Sequence, residues 1–490
     1  MLLHDLIARY NQHPCINQII DWLQSPKQHL TVSGLLASSK SVTLGTVFEA
    51  SQQPFLVILN DAETAGYCYH DLTQMLDKEQ VVYFPSAYKN NHKHGTKDAA
   101  NEILRADTLS RLQSGKPCLV ITYPEALAEK VVSANTFNAS KITIKTGEQI
   151  PSEKVIEQLE ALGFEYVDFV YEPGQFSIRG SILDIFSFAN ELPYRVDFFG
   201  DEVESIRTFD IEKQLSLDEQ TQITIVPDIE TLEGEAISLV EFMSNKTFIC
   251  ADNLRFIRER INQVYDDALV KANEQTKTAT LTSRLLTGDT LLDQIETHRT
   301  IEFGKSIYNQ LEQVGFQMSV QPIFHKNFDL VTEQFTKYLT EGYTLYISSD
   351  SKKQIDRISS IFEERGTNIP FTPILKTLHE GFIDHDLHLC CFTDHQIFDR
   401  FHKFTLRSDM ARAGKVAMTL KELNQFKVGD YVVHIDHGVG KFGGLLTTNI
   451  NGRTQEVIKL IFKDDDVIFV SIHALHRISK YKSKEGEEPR

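Results

Sequence analysis

The residues with the clearest chemical signature lie near the amino terminus, in the segment Gly34-Leu-Leu-Ala-Ser-Ser39-Lys40-Ser41. They match the phosphate-binding pattern GxxxxGK[ST] at its first glycine, its lysine and its serine, between a predicted strand and a predicted helix. Ser39 stands where the pattern requires a second glycine, whose missing Cβ lets the backbone wrap around phosphate oxygens. The segment is therefore either a vestigial nucleotide site, which we expect to be inactive, or an ordinary strand–turn–helix connection.

A working site of this kind also needs an acidic residue at a strand end to hold Mg²⁺, and the sequence suggests none. Asp218 and Glu219 are adjacent, but the polar segment before them is typical of a solvated turn. We therefore expect no catalytic residue in this chain and no bound cofactor.

Histidines occur in two places where a metal site deserves consideration. His92 and His94 lie in the segment PSAYKNNHKHGTKD, which favours a solvated basic loop, whereas His434, Asp436 and His437 surround a predicted strand-to-turn junction. The six cysteines form no CxxC pair, which fits small buried thiols in a reducing cytoplasm. We expect no metal site.

A second group of residues combines arginine with an aromatic side chain on one predicted strand. Because side chains alternate across a strand, Arg195, Asp197 and Phe199 share the face opposite the core. Exposed arginine and phenylalanine are typical of protein-binding hot spots. Arg179, ahead of the bend at Gly180, belongs to the same candidate surface. The alternative is an arginine–aspartate surface pair with Phe199 covered by a loop.

A third group lies near the carboxy terminus, in the alternating segment 444–450. Leu446, Thr448 and Ile450 share one face of this predicted strand, which ends at the turn Asn451-Gly452. Taken alone, the pattern indicates a hairpin strand of a small β-barrel.

Composition indicates several globular domains. The chain has 490 residues, of which 41% are hydrophobic and 24% charged, and it is too long for a single core. Its net charge of −18 opposes tight binding of the whole chain to naked DNA. It has neither a signal-peptide pattern nor a run of about 18 apolar residues, so we expect a cytoplasmic protein without a membrane span.

The segments GQFSIRGSILDIF and RVDFFGDEVESI closely resemble the equivalent part of UvrB and of the bacterial transcription-repair coupling factors (Mfd). In both families the inserted domain docks UvrA, and the resemblance to coupling factors implies UvrA contacts at Arg179, Arg195 and Phe199. UvrB itself keeps an intact phosphate loop and an aromatic-rich hairpin, and this chain lacks both. The resemblance is therefore to the amino-terminal part of the coupling factors.

The segment from Val433 to Lys441 resembles the RNA-polymerase-interacting domain that coupling factors share with CarD-type regulators. In that family the next strand is an exposed edge that pairs with the polymerase β subunit. The resemblance implies that Leu446, Thr448 and Ile450 contact the polymerase, although Thr448 is polar where relatives carry an apolar residue.

The resemblance and the alternation of predicted strands and helices indicate a multidomain α/β and β chain. It contains a UvrB-like parallel α/β domain with an inserted antiparallel α+β domain, a small α/β domain and a carboxy-terminal SH3/Tudor-like β-barrel resembling CarD. The predicted regions are 1–139 and 227–317 (the two parts of the UvrB-like domain), 140–226 (the UvrA-binding insertion), 318–402 (the small α/β domain), 403–426 (a linker), 427–482 (the polymerase-binding barrel) and 483–490 (a tail).

The family implies an adaptor for transcription-coupled nucleotide excision repair, which recruits UvrA to RNA polymerase stalled at DNA damage. Since no motor motifs follow the barrel, we expect a fragment whose parent binds ATP, Mg²⁺ and most of its DNA through a missing translocase. The alternatives are a UvrB-class ATPase acting on damaged DNA and a CarD-like transcription regulator.

Overall fold

The computed structural model describes residues 3–88, 99–190, 192–211, 214–229, 231–232, 234–274, 283–304, 306–307, 312–400, 426–434, 437–450, 453–462, 466–471 and 478–480. The chain divides into two compact units, Met1–Ala139 with Ile229–Leu406, and Ser140–Asp228 with Arg407–Arg490. The finer boundaries drawn from the sequence stay predictions. Among the residues described, none of the helices combines the length and the apolar composition needed to span a bilayer.

The amino-terminal segment alternates strands and helices, as its pattern predicts. Every residue of Phe55–Ile58 and Leu119–Thr122 is buried, because helices cover both faces of a parallel sheet. The elements are α1 (Leu3–Tyr10), α2 (Pro14–Gln24), β1 (His29–Ser33), α3 (Ser39–Ser51), β2 (Phe55–Ile58), α4 (Ala62–Met75), β3 (Val81–Tyr83), α5 (Ala99–Gln113), β4 (Leu119–Thr122), α6 (Pro124–Leu127), β5 (Val131–Val132) and α7 (Ala134–Ala139).

The next segment forms a six-stranded sheet that packs against one helix. The elements of this segment are β6 (Ile142–Lys145), α8 (Ser152–Ala161), β7 (Glu165–Tyr166), β8 (Gln175–Arg179), β9 (Ile182–Ile185), β10 (Tyr194–Phe199), β11 (Glu202–Phe209), β12 (Ser216–Gln220) and β13 (Gln222–Ile225). β6 and β13 pair with each other in a separate two-stranded sheet. The order of the six-stranded sheet is β12-β11-β10-β9-β8-β7, antiparallel except between β7 and β8. The segment YVDFVYEP (166–173) has the composition of a strand, but this prediction is wrong beyond Tyr166, since β7 ends there and the chain bends.

The chain then returns to the parallel sheet. Its elements are β14 (Ala236–Ile237), α9 (Leu239–Phe242), β15 (Phe248–Ala251), α10 (Leu254–Glu274), α11 (Gly288–Ile295), β16 (Thr300–Phe303) and β17 (Gln313–Gly315). The seven strands run in the order β17-β1-β16-β15-β2-β4-β3, and all their pairs are parallel. The pattern of LEGEAISLVEFMSN (232–245) predicts a helix, and this prediction is wrong. β14 pairs with β5, and Ser238 caps the short helix α9 with a capping box.

A smaller α/β segment follows, with a five-stranded mixed sheet in the order β18-β21-β22-β19-β20. Its elements are β18 (Met318–Val320), α12 (Phe328–Thr340), β19 (Thr344–Ser348), α13 (Lys352–Glu364), β20 (Thr372–Ile374), β21 (Phe382–Asp384), β22 (Leu389–Thr393) and α14 (Asp394–Ile397).

The carboxy-terminal strands form an antiparallel sheet in the order β26-β25-β24-β23-β27. They are β23 (Tyr431–His434), β24 (Gly438–Ile450), β25 (Arg453–Ile461), β26 (Val467–Ser471) and β27 (Ile478–Lys480). Gly438 begins β24 with φ +76°, a conformation that favours glycine. The SH3/Tudor-like barrel remains a prediction. Residues 403–425 of the predicted linker and the whole predicted tail, 483–490, lie outside the described residues.

Candidate protein-binding surfaces and the degenerate phosphate loop

The degenerate phosphate loop joins β1 to α3, where the sequence predicts it. Gly34 has φ +83°, which favours glycine. A Cβ at Gly34 would lie 1.8 Å from the carbonyl oxygen of Phe316, so packing within the chain already requires this glycine. Its presence is explained without a bound phosphate.

Ser39 closes the loop on itself. Its hydroxyl donates to the carbonyl oxygen of Leu36 at 2.6 Å and accepts from the backbone N–H of Leu36 at 2.9 Å. In a working phosphate loop, backbone N–H groups of this stretch face the phosphate oxygens. Here the hydroxyl of Ser39, at the position of the second glycine, accepts the hydrogen bond from the N–H of Leu36.

Lys40 is paired within the protein. Its Nζ forms a short ion pair with Asp252 and lies 5.3 Å from the centre of the Phe303 ring. Asp252 directly follows the fully buried strand β15, so the expectation of no acidic strand end beside the loop is wrong. The apolar run FICA ahead of Asp252 was the signal that could have identified it. The negative charge of Asp252 offsets the positive charge that Lys40 would otherwise present to a phosphate.

Ser38 at the start of α3 and Asp71 in α4 both bind the segment before β21. The Ser38 hydroxyl accepts from the N–H of Glu380 at 2.9 Å, and the Asp71 carboxylate accepts from the N–H of His379 at 2.7 Å. The rings of His379 and Tyr67 stack with centroids 3.3 Å apart. Burial raises the pKa of Asp71 to about 7, although hydrogen bonds from Ser38 and His379 oppose the rise. The Ser38 hydroxyl is therefore occupied by the chain itself, while Ser41 is also buried.

The alternation predicted for β10 is confirmed. Tyr194, Val196 and Phe198 belong to the core that includes α8, whereas Phe199 is 76% exposed. A bulge after Asp197 leaves this alternation intact. The alternative in which a loop covers Phe199 is therefore wrong.

Arg179 and Arg195 meet at one carboxylate, that of Asp184. Nη2 of Arg179 donates to Oδ2 of Asp184 at 2.6 Å. Arg195 donates its Nε to Oδ1 at 2.7 Å and its Nη2 to Oδ2 at 2.9 Å. Asp184 lies directly opposite Arg195 across β9 and β10, and its side chain is 2% exposed. The arginine–aspartate pair considered from the sequence exists, with Asp184 as the acid.

The two arginines differ in accessibility. The side chain of Arg195 is 16% exposed, lies 4.4 Å from the centre of the Phe209 ring and donates to the carbonyl oxygen of Gln214 at 3.2 Å. The side chain of Arg179 is 36% exposed and lies 4.7 Å from the centre of the half-exposed Phe169 ring. Arg195 is thus built into the sheet, whereas Arg179 remains partly accessible.

β24 carries the second predicted surface. β25 pairs with Leu445–Ile450, while β23 pairs only with Gly438–Lys441. Within the described strands, the side of Leu445–Ile450 away from β25 therefore has no strand paired to it. Leu446 is 44% exposed, and the side chains of Thr448 and Ile450 lie outside what the structure describes. This part of β24 is an open edge among the residues described.

One group in the described part of the chain has the spacing of metal ligands, formed by His13, Cys15 and Asp386. Nδ1 of His13 accepts from the backbone N–H of Cys15, and its Nε2 lies 3.4 Å from Asp384. Burial opposes the charge on His13, but its interactions with Asp384 and Cys15 raise its pKa to about 9. A buried ion pair accounts for the group. His92, His94 and Asp436, considered from the sequence, lie outside the described residues.

Two family models match separate parts of the chain. Residues 142–230 match the UvrB interaction domain, and residues 426–482 match the CarD-like/TRCF RID domain. The first match contains the arginine pair and Phe199, and the second contains the open edge of β24.

Curated relatives match along the whole chain. It is 23% identical over 552 residues to the transcription-repair-coupling factor of Bacillus subtilis (strain 168), covering 96% of this chain and 47% of the relative. It is 24% identical over 565 residues to that of Staphylococcus aureus (strain bovine RF122 / ET3-1), covering 100% of this chain and 48% of the relative. The chain spans about half the length of the curated relatives it matches.

Among solved structures, one of Mss116p bound to ssRNA and AMP-PNP matches 82% of this chain and 66% of its own at 10% identity. Its TM-score of 0.22 is too low to indicate a shared fold. The assignment depends instead on the domain matches and the curated relatives. Together they show that the chain resembles the amino-terminal part of a transcription-repair-coupling factor and carries that family's UvrB interaction and CarD-like/TRCF RID domains.

Proposed function

We propose that the chain is the partner-binding part of a transcription-coupled nucleotide excision repair factor, which recruits UvrA to RNA polymerase stalled at DNA damage. The observation that carries this proposal is the presence of two protein-interaction domain types on one chain, at 142–230 and 426–482. The names of the relatives that match its full length support it. One chain that holds both partners raises their effective concentration for each other near the lesion.

UvrA binds the outer face of β8–β10 in this proposal. Phe199 offers a large apolar ring to solvent at the end of β10, and Arg179 offers a partly accessible guanidinium group. Exposed aromatic and arginine side chains dominate the binding energy of many protein interfaces. Arg195 supports this face from a more buried position.

RNA polymerase binds the open edge of β24, and the contacting subunit is β. Backbone donors and acceptors along an unpaired strand bind an extended partner strand, and alternate side chains select it. Leu446 is the exposed apolar residue that supports this contact, and Thr448 and Ile450 complete the proposed face by their positions on β24.

This chain performs no ATP chemistry in our proposal. ATP, Mg²⁺ and most DNA contacts belong to a translocase motor outside the residues of this chain. The Lys40–Asp252 ion pair and the closure of the loop by Ser39 support an inert phosphate loop. The net charge of −18 also disfavours extensive DNA contact by this part.

The test is a pull-down of the chain with UvrA and, separately, with the polymerase β subunit of the same organism. We expect both to bind, Phe199→Ala to weaken only UvrA binding, and Leu446→Asp to weaken only β-subunit binding. Failure of the wild-type chain to bind either partner would refute the adaptor. ATP turnover that disappears in Lys40→Ala would instead favour a UvrB-class ATPase, and polymerase binding without UvrA binding would favour a CarD-like regulator.

A further inference from the structure

We propose that Asp184 is the positioning residue of the UvrA-binding surface, an inference that rests on the function proposed above. Its single carboxylate fixes the guanidinium groups of both Arg179 and Arg195. In this proposal Asp184 and Arg195 hold the surface in place, while Arg179 and Phe199 contact UvrA.

The geometry around Asp184 supports this division of roles. Oδ2 of Asp184 accepts from Arg179 at 2.6 Å and from Arg195 at 2.9 Å, so two cations share one oxygen. The carboxylate is almost fully buried, and hydrogen bonds between buried charged groups hold their partners in narrow orientations. Asp184 is therefore the contact that both guanidinium groups share, and Arg179 also donates to the carbonyl oxygen of Asp168 at 3.4 Å.

The charges on this face of the sheet also give Asp184 a role. Arg195 lies directly opposite Arg207 of β11 as well as opposite Asp184 of β9. Like charges at opposite positions of neighbouring strands repel each other. Arg207 has Glu219 of β12 on its other side, whereas Arg179 and Arg195 both form their ion pairs with Asp184.

Arg195 has most of its hydrogen-bonding capacity engaged inside the protein. It donates to both oxygens of Asp184 and to the carbonyl oxygen of Gln214, a residue with φ +56°, and its guanidinium group covers the ring of Phe209. It thereby links β9 and β10 to the turn before β12. Its contribution to binding is indirect.

The groups left for a partner have a defined chemistry. Arg179 and Asp197 both pair with Ile182, so Phe199 lies two residues further along the same face as Arg179. At about 4.8 Å between strands and about 3.3 Å per residue, the two side chains begin on the order of 10 Å apart. The complementary surface of UvrA therefore carries a carboxylate near an apolar pocket.

The experiment compares Asp184→Asn with Asp218→Asn by measuring the Kd for purified UvrA. Asn is close to Asp in size, so the first change removes the charge that holds the arginines. The second removes a charge from an exposed residue of β12 in the same sheet. Since hydrogen bonds between charged groups are lost, we expect Asp184→Asn to raise the Kd about tenfold or more, and Asp218→Asn to change it less than about twofold.

A double-mutant cycle separates positioning from general damage to the fold. If Asp184 acts through Arg179, then Arg179→Ala should weaken binding in the wild-type background and have little further effect beside Asp184→Asn. Thermal unfolding monitors the fold of each variant. If Asp184→Asn is unfolded at the assay temperature, Asp184→Glu, which keeps the charge but displaces it by one methylene, takes its place in the cycle.

Wild-type-like affinity of the Asp184 variant, or fully additive effects in the cycle, would overturn the inference. Absence of UvrA binding by the wild-type chain would refute the proposed function instead. In that case the rate at which the Arg195 Nε–H exchanges with water, measured by NMR, tests whether Asp184 positions Arg195. Faster exchange in Asp184→Asn supports it, and equal exchange in both proteins overturns it.

Discussion

The charged group of Lys40 forms an ion pair within the protein. Its partner Asp252 is 9% exposed at the side chain, so removal of the lysine leaves a largely buried carboxylate without its ion pair. The lysine of the degenerate phosphate loop therefore helps to hold α3 against the end of β15. Lys40 therefore contributes to stability.

We expect Lys40→Ala to lower the free energy of unfolding by about 1–3 kcal/mol, because Asp252 loses its partner. Urea denaturation measures the change. The double variant Lys40→Ala/Asp252→Ala is the control, and it should regain part of the loss because no orphaned charge remains. Unchanged stability of the single variant would contradict this role.

Asp71 should give stability an unusual pH dependence. Because its pKa in the folded protein, about 7, lies above the usual 3.8, the folded state binds the extra proton. Its contribution to stability therefore falls as pH rises from 3.8 to about 7. Asp71→Asn keeps an acceptor for the N–H of His379 but cannot ionise, so its melting temperature should depend less on pH in that window. Parallel curves for the two proteins would argue against the shifted pKa.

At the scale of elements, β10 has a core face, on which Phe198 lies, and an outer face with the exposed Phe199, where we propose that UvrA binds. Phe198→Ala should lower the free energy of unfolding by about 3–5 kcal/mol, because a buried ring is lost. Phe199→Ala should change it by less than about 0.5 kcal/mol, because this ring is exposed. Phe199→Ala should therefore stay folded and bind UvrA more weakly. Equal destabilisation would show that Phe199 belongs to the core.

The carboxy-terminal sheet offers a similar comparison. Leu446→Asp should abolish binding to the polymerase β subunit with little loss of stability, because Leu446 lies exposed beside the open edge. Leu460→Ala should instead destabilise this sheet by about 2–5 kcal/mol, since Leu460 is fully buried. Chemical denaturation and a binding titration measure both effects. Undiminished polymerase binding by folded Leu446→Asp would remove this edge from the interface.

The sequence predicts the strands and helices that show a clear periodicity of hydrophobic residues. The alternation in β10 is confirmed. The helical pattern of residues 254–276 predicts a helix, which is found at Leu254–Glu274. The segment 232–245 was predicted wrongly because the pairing of β14 with β5, a distant contact, overrides its helical pattern. The ion pairs of Asp184 and Asp252 depend on strand register and strand order, which no local pattern contains.

At the scale of the whole molecule, the two interaction domains occupy different parts of one chain, at 142–230 and 426–482. The adaptor requires more than two separate binding activities, because both partners must be held at once. Simultaneous binding gains from effective concentration only if the geometry allows both contacts.

The most direct measurement is size-exclusion chromatography with light scattering of the chain mixed with UvrA and the polymerase β subunit. Our account predicts one complex that contains all three proteins. Phe199→Ala should reduce it to the chain with the β subunit, and Leu446→Asp should reduce it to the chain with UvrA. Elution of the wild-type chain free of both partners, or displacement of one partner by the other, would contradict the account.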